Sequence, residues 1–265
     1  AESGKLWEID LSSGASPRRA VFPQPLRVSP VADASGKLLF QVADHASIYV
    51  LDTNTLTCKE VLYLGHESGT VDVPPAFAVG VVVVAENWGR ADSRLNVLTP
   101  DDSDGSLKNA QQIRLKGIVL TAMSPTGRQL AVATDRGQVK VFEVTAGGGE
   151  PLAQIAERLP TGAEPAVREL AVEAGRLWIA DTQLSRFAVQ AASGQLVSQA
   201  LEDTDRGDSF IGPIILDDKT LFHVRRQQGR PGVSISAINT ADGRRRWQTE
   251  IVPPAAEPMV ANRQI

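Results

Sequence analysis

The sequence predicts an all-β protein built as a ring of four-stranded antiparallel sheets. Three observations carry that expectation: a repeat of about 46 residues, a second ladder of strand-and-turn segments in phase with it, and four strand-like runs inside each repeat. Proline marks the first ladder. Val28-Ser29-Pro30-Val31, Val73-Pro74-Pro75-Ala76, Ile211-Gly212-Pro213-Ile214 and Ala256-Glu257-Pro258-Met259 each set a proline before an apolar residue, and Pro30, Pro75, Pro213 and Pro258 are spaced 45, 138 and 45 residues apart. The middle interval is three periods long. Two further repeats therefore fall at Leu120-Thr121-Ala122-Met123 and Ala166-Val167-Arg168-Glu169-Leu170, which keep the apolar character without the proline. Proline has no N–H for a ladder and is confined to edges and strand starts, so its register suits the first strand of each repeat, the inner edge of a sheet.

The second ladder reads Leu6-Trp7-Glu8-Ile9-Asp10-Leu11, Ile48-Tyr49-Val50-Leu51-Asp52, Leu95-Asn96-Val97-Leu98, Val139-Lys140-Val141-Phe142, Arg186-Phe187-Ala188-Val189 and Ser236-Ala237-Ile238-Asn239, each followed by turn residues. The fifth repeat shows all four strands: 210–216, 220–225, 233–239 and 246–252, with turns at Asp217-Asp218-Lys219, Gly229-Arg230-Pro231-Gly232 and Thr240-Ala241-Asp242-Gly243. Runs such as 80–85 and 177–180 are apolar throughout, as strands sandwiched between neighbouring sheets are. Sheets stacked face to face around an axis make a β-propeller. Six blades are expected, at 25–68, 69–116, 117–160, 161–204 and 205–252, with 253–265 and 1–24 sharing the closing blade of a single domain; seven or eight follow if the chain is a fragment. Leu152, Ile155 and Leu159 are spaced for a short helix, but Pro160 stops it and a strand is the preferred reading.

Composition narrows the function. The 265 residues carry a net charge of −4, with 42% hydrophobic and 22% charged residues, enough for a real core and unsuited to a phosphate-binding surface, so nucleic acid is not an expected partner. No run of about 18 apolar residues is present, so no direct membrane span is expected. The single cysteine, Cys58, has no partner for an internal disulfide.

Ala237-Ile238-Asn239-Thr240-Ala241-Asp242-Gly243-Arg244-Arg245-Arg246-Trp247 resembles the repeat of the pyrroloquinoline-quinone-like (quinoprotein dehydrogenase-like) propeller superfamily, with its alanine–apolar strand, Gly turn and following tryptophan. The segments 6–14 and 189–194 look like weaker copies. Ser124-Pro125-Thr126-Gly127-Arg128 is closer to blades of the WD40 type. Within that superfamily the resemblance implies one of two groups. The dehydrogenases use a quinone, calcium and an adjacent cysteine pair that Cys58 alone cannot supply. The non-catalytic group includes the outer-membrane assembly lipoprotein and bacterial sensor propellers, and the chain resembles this second group. It implies a periplasmic or cell-surface location, no cofactor and no catalytic residue.

Searching for chemistry supports that choice. His45, His66 and His223 lack metal-ligand spacing, and no metal is expected. Asp101-Asp102-Ser103-Asp104-Gly105 places Pro100 and Gln111 at the end ligands of a calcium loop and reads as a hairpin tip. Gly147-Gly148-Gly149 lacks the lysine of a phosphate loop, and Arg206-Gly207-Asp208 matches an adhesion tripeptide only by its three residues. Candidate channel ionisables are Asp72, Arg168, Glu169 and Glu257. The most uneven charge is the group Arg225, Arg226, Arg230, Arg244, Arg245 and Arg246, either a solvated face or a contact for an acidic partner. Trp88, placed in an inter-strand turn, is either packed between blades or exposed as a contact residue. The expectation is therefore a non-enzymatic binding or scaffold domain with a protein or peptide partner, within a larger extracytoplasmic bacterial protein. The alternative is an enzyme, quinone-dependent or a hydrolase or lyase, with its site in the central channel.

Overall fold

The computed structural model describes residues 4–65, 67, 69–89, 91–101, 106–147, 149–160, 165–173, 175–201, 209–226 and 232–251. Among them the regular structure is β apart from one 3-10 turn, Asp44–Ala46. The chain divides into two compact units, residues 1–123 with 143–153 and residues 124–142 with 154–265.

In chain order, β1 (Lys5–Trp7) and β2 (Arg19–Val21) form a two-stranded hairpin. A four-stranded antiparallel meander follows: β3 (Val31–Ala32), β4 (Leu38–Ala43), β5 (Ser47–Asp52) and β6 (Cys58–Tyr63). The next is β7 (Ala76–Ala78), β8 (Val81–Trp88), β9 (Asp92–Pro100) and β10 (Leu107–Lys116). Then come β11 (Ser124–Thr126), β12 (Gln129–Ala133), β13 (Val139–Val144) and β14 (Leu152–Arg158), and after them β15 (Glu169–Glu173), β16 (Arg176–Ala180), β17 (Leu184–Gln190) and β18 (Gln195–Gln199). The last sheet holds β19 (Ser209–Phe210), β20 (Ile215–Asp217), β21 (Thr220–Arg226), β22 (Val233–Asn239) and β23 (Arg245–Ile251).

In the first, second, third and last meanders the first strand is short and has proline in or beside it; in the fourth, which has none there, β15 runs to five residues. Pro30 and Pro75 stand immediately before β3 and β7, and Pro125 lies within the three-residue β11. In the last sheet the single strand expected over 210–216 is broken. Gly212 adopts φ +70 and Pro213 has no N–H to give, so β19 and β20 pair separately with β21. The helical spacing at Leu152, Ile155 and Leu159 comes to nothing, because 152–158 is strand β14. A second departure is that the third and fourth meanders are not separate sheets. One parallel pairing, Glu157 with Gln195, joins β14 to β18 and merges them into eight strands.

Burial explains the stacking. Second and third strands are covered on both faces: Val81 to Ala85 are each no more than 1% exposed. Phe40, Val42, Ile48 and Val50 pack against Val82, Val84 and Leu98 of the next meander. Ala131, Val139, Val141 and Ala156 pack against Leu170, Val172, Leu177 and Ile179, and Trp178, Ala180 and Leu184 against Ile214, Leu221 and Ile238. Ala20, Phe22 and Leu26 beside the N-terminal hairpin cover Tyr49 and Leu51, with the Phe22 and Tyr49 rings edge-on at 4.9 Å. Fully burying each Val, Leu, Ile or Phe among them contributes about 1.5–3 kcal/mol, so within each of these packed groups a sheet depends on its neighbour. The expected pairing of 253–265 with 1–24 falls outside the described residues.

Candidate functional site

Strand alternation on β8 and β9 creates a polar ladder on one face. Glu86 is opposite Arg94 and Trp88 opposite Asp92. The Arg94 guanidinium donates to Glu86 Oε2 at 2.6 Å, Asn96 Nδ2 donates to the same oxygen at 3.1 Å, and Gln112 Nε2 donates to Asn96 Oδ1 at 3.0 Å. Glu86 and Asn96 are buried, and the packing is close: a side chain on Gly65 would meet Glu86 Oε1 at 2.9 Å. At the open end of this ladder the Arg94 guanidinium lies over the Trp88 ring, 5.3 Å from its centroid. Trp88 is the last residue of a strand rather than part of a turn, and it is 53% exposed, so packing between sheets is not its role. The exposed ring is thus held by a cation that is itself anchored on a buried carboxylate.

Next to it, Asn87 turns to the other face and acts as a staple. Its Nδ2 donates to Asp72 Oδ2 at 2.8 Å and to the Val119 carbonyl at 3.0 Å, while its Oδ1 accepts from the Val119 N–H at 2.8 Å. Asp72, expected as a channel ionisable, is thus one end of a structural bond. Arg168 is likewise committed: 7% exposed, it donates to the carbonyls of Thr134, Asp135 and Ala166 and faces Asp181 at 3.6 Å. Glu169 begins β15 opposite Ala180, and Glu257 lies outside the described residues.

The arginine group of the last sheet is divided. Arg225, expected with the exposed group, is 2% exposed, its guanidinium 5.2 Å from the Phe210 ring centroid, and cannot reach a partner. Arg226 is exposed at the far end of β21, five residues past Leu221, whose partner Ile238 pairs with Arg245. At about 3.3 Å per residue that end is roughly 17 Å from Arg245. Arg230 lies outside the described residues. Arg244, Arg245 and Arg246 remain together and exposed, around the turn in which Asp242 Oδ1 accepts from the Arg244 N–H at 3.0 Å. A register shift at Ile238 leaves Arg246 without an opposite residue. Trp247 follows them in β23, 43% exposed, with its ring tilted 6.1 Å from that of Phe222; the register shift sets it on the face opposite to Arg245.

Among the described residues no group of three or more His, Cys, Asp or Glu could hold a metal ion. His45 is exposed at φ 61 in the 3-10 turn, His223 is buried with its ring edge-on to Phe210 at 5.4 Å, and His66 lies outside the described residues. Cys58 is exposed; partial desolvation pushes its thiol pKa up, and its S–H donates to the Glu60 carbonyl. The residues 102–105, the Arg206-Gly207-Asp208 tripeptide and Gly148 are also outside the described residues. No helix among the described residues is long and apolar enough to cross a membrane.

The first sheet also borders a cleft that the sequence did not suggest. It has a volume of about 410 Å³ and is lined by Asp33, Leu38, Phe40, Phe77, Thr99 and Pro100, with Gly80, Ala146 and Gly147 at its margin. The Phe40 and Phe77 rings stack at 5.9 Å with 12° between their planes. Only the turn Asp33-Ala34-Ser35-Gly36 carried a signal, as an Asx-type turn that fixes a carboxylate.

No family model matches the chain, and no curated protein is detectably similar to it in sequence. Solved structures do match. BamB from Moraxella catarrhalis aligns with a TM-score of 0.58 at 14% identity, over 83% of this chain and 64% of that one. A chain of the mitotic checkpoint complex aligns with a TM-score of 0.65, also at 14% identity, over 96% of this chain and 73% of that one. This chain therefore spans 64% of the length of the BamB structure it matches. Likeness at that identity establishes the fold, and the fold is an all-β propeller.

Proposed function

We propose that the chain is a non-enzymatic binding or scaffold domain that engages an acidic protein partner. The observation that carries this reading is the exposed run Arg244, Arg245, Arg246 and Trp247 on an outermost strand. Arginine and tryptophan are the residue types that most often dominate protein interfaces, and a cationic patch on a chain of net charge −4 has no general electrostatic cause. The sheet beneath is anchored by buried apolar residues, so the patch is presented without a large ordering cost. The likeness to BamB and to a chain of the mitotic checkpoint complex, a protein assembly, supports a scaffold role. The same comparison with BamB, together with the superfamily resemblance, supports placing the domain in the periplasm or on the cell surface, within a larger bacterial protein.

The test is capture. Immobilised chain is exposed to an extracytoplasmic extract at about 50 mM and 200 mM salt, beside a variant with Arg244, Arg245 and Arg246 changed to serine. An acidic protein retained by the native chain, and bound at least tenfold more weakly by the folded triple variant at low salt, is expected. Equal retention by both removes the patch. Turnover of a sugar or alcohol by the chain with no captured protein overturns the scaffold reading.

A further inference from the structure

We infer that the cleft bordered by Phe40, Phe77 and Asp33 is a docking groove for an extended peptide segment of a partner protein, one carrying an apolar side chain followed by a lysine or arginine. The inference rests on the scaffold reading but uses a surface separate from the arginine cluster. Its apolar surface is offered by the half-buried Leu38 and Phe77, backed by Phe40, which is fully buried in the core and stacks on Phe77. Its margin is made of residues that leave space. Gly80 has no heavy atom within 4 Å of where a side chain would start, and Ala146 and Gly147 are exposed. A volume of about 410 Å³ is near the small end of ligand sites, sized for a short anchor rather than a cofactor.

The charge is supplied by Asp33. Its Oδ1 accepts from the backbone N–H groups of Lys37 at 2.8 Å and Leu38 at 3.0 Å, and its Oδ2 from Ser35 Oγ at 2.5 Å. Partial burial alone would raise its pKa, but the hydrogen-bond donors outweigh it, hold the group below the usual carboxylate range and keep it ionised. All the stabilising partners are neutral, and no cation contributes. The other carboxylate near this end, Asp101, already has Lys108. A fixed, ionised carboxylate beside an apolar floor, with no cation paired to it among the described residues, is complementary to an apolar residue flanked by a basic one.

The test uses two capped pentapeptides, Ala-Leu-Phe-Arg-Ala and Ala-Leu-Phe-Glu-Ala, titrated into the whole chain by NMR. The arginine peptide is expected to shift the amides of Phe77, Gly80, Thr99 and Ala146 and to bind at least fivefold tighter than the glutamate peptide. Asp33→Asn, which retains an acceptor for the two N–H groups, should abolish that preference, a loss of about fivefold for the arginine peptide alone. Ala146→Trp, an exposed substitution that fills the margin, should weaken both peptides at least tenfold. Equal binding of the two peptides, shifts confined to other residues, or indifference to Ala146→Trp overturns the proposal. So does concentration-dependent dimerisation abolished by Ala146→Trp, which would assign the groove to a second copy of the chain. Failure here with the arginine-cluster capture intact removes only the groove; failure of both removes the scaffold reading.

Discussion

Replacing Asn87 by alanine should destabilise the fold far more than an ordinary polar truncation. Asn87 is 8% exposed and its amide makes three hydrogen bonds, two of them to the backbone of Val119, which is fully buried. Alanine removes the acceptor of the Val119 N–H and the donor to its carbonyl together, and each stranded buried group costs about 1–3 kcal/mol. Asp72 is exposed and regains water, so its share is small. The expected loss is about 3 kcal/mol, equivalent to a fall in Tm of roughly 6–12 °C for a chain of this size. Urea denaturation followed by circular dichroism gives the free energy, and hydrogen exchange at the Val119 amide localises it. Asn87→Asp sharpens the test. At neutral pH the new carboxylate would face Asp72 and the Val119 carbonyl, both acceptors, so that variant should be weaker than alanine at pH 7 and recover towards pH 4 as it becomes protonated. A loss under about 1 kcal/mol for alanine, or no pH-dependence for aspartate, would refute the staple.

Two further expectations follow from the turns and the carboxylates. Gly14 and Gly243 both have positive φ, +69 and +76, but a side chain on Gly14 meets nothing within 4 Å whereas one on Gly243 meets Leu201 Cδ1 at 2.7 Å and Arg186 Nη1 at 3.3 Å. Gly14→Ala should therefore cost about 1 kcal/mol and Gly243→Ala at least twice that; equal denaturation midpoints would contradict it. On acidification, Asp10 is held down to about 2 by the Ser12 and Ser13 hydroxyls, Asp52 lies below the usual carboxylate range because of Lys59, and Asp44 does so because the Gly69 N–H outweighs its burial. A carboxylate more acidic folded than unfolded stabilises the native state above about pH 4, and that contribution drains away as pH falls towards 2. A triple Asp10→Asn, Asp44→Asn, Asp52→Asn variant should show a flatter acid limb in circular dichroism between pH 5 and 2, and an unchanged limb would be contrary evidence.

The fold class was legible because its signals are local and chemical. A proline that cannot complete a ladder announces a strand start at Pro30 and Pro75, and a run such as 81–85 can be apolar on both faces only between two sheets. The exposure of the candidate contact residues is less legible because it is decided across long separations. Arg225 and Arg226 are adjacent and identical in charge, yet one lies on Phe210 and the other in solvent, a difference set by which face another strand covers. Trp88 would be buried on hydropathy alone. It is held in the open because Arg94, Glu86 and Asn96 occupy the ladder behind it. The Asn87 staple joins residues 15 and 32 positions apart, and no spacing rule on one strand contains such a bond. The groove floor pairs Phe40 with Phe77 from successive repeats, so each looks like an ordinary core residue when read singly. The break at Pro213 was half visible: the proline was recognised as a strand-start marker, but its power to split the strand depended on Gly212 taking a positive φ.

The single parallel link between Glu157 and Gln195 alters how this chain could be edited or pulled apart. In a modular array each unit can in principle be excised or duplicated, because its bonds stop at its own border. Here one bridge ties the third meander to the fourth, so a cut between them breaks a backbone pairing as well as a packed face. Grafting, circular permutation or loop insertion should therefore keep 154–158 together with 195–199, the segments that this pairing joins.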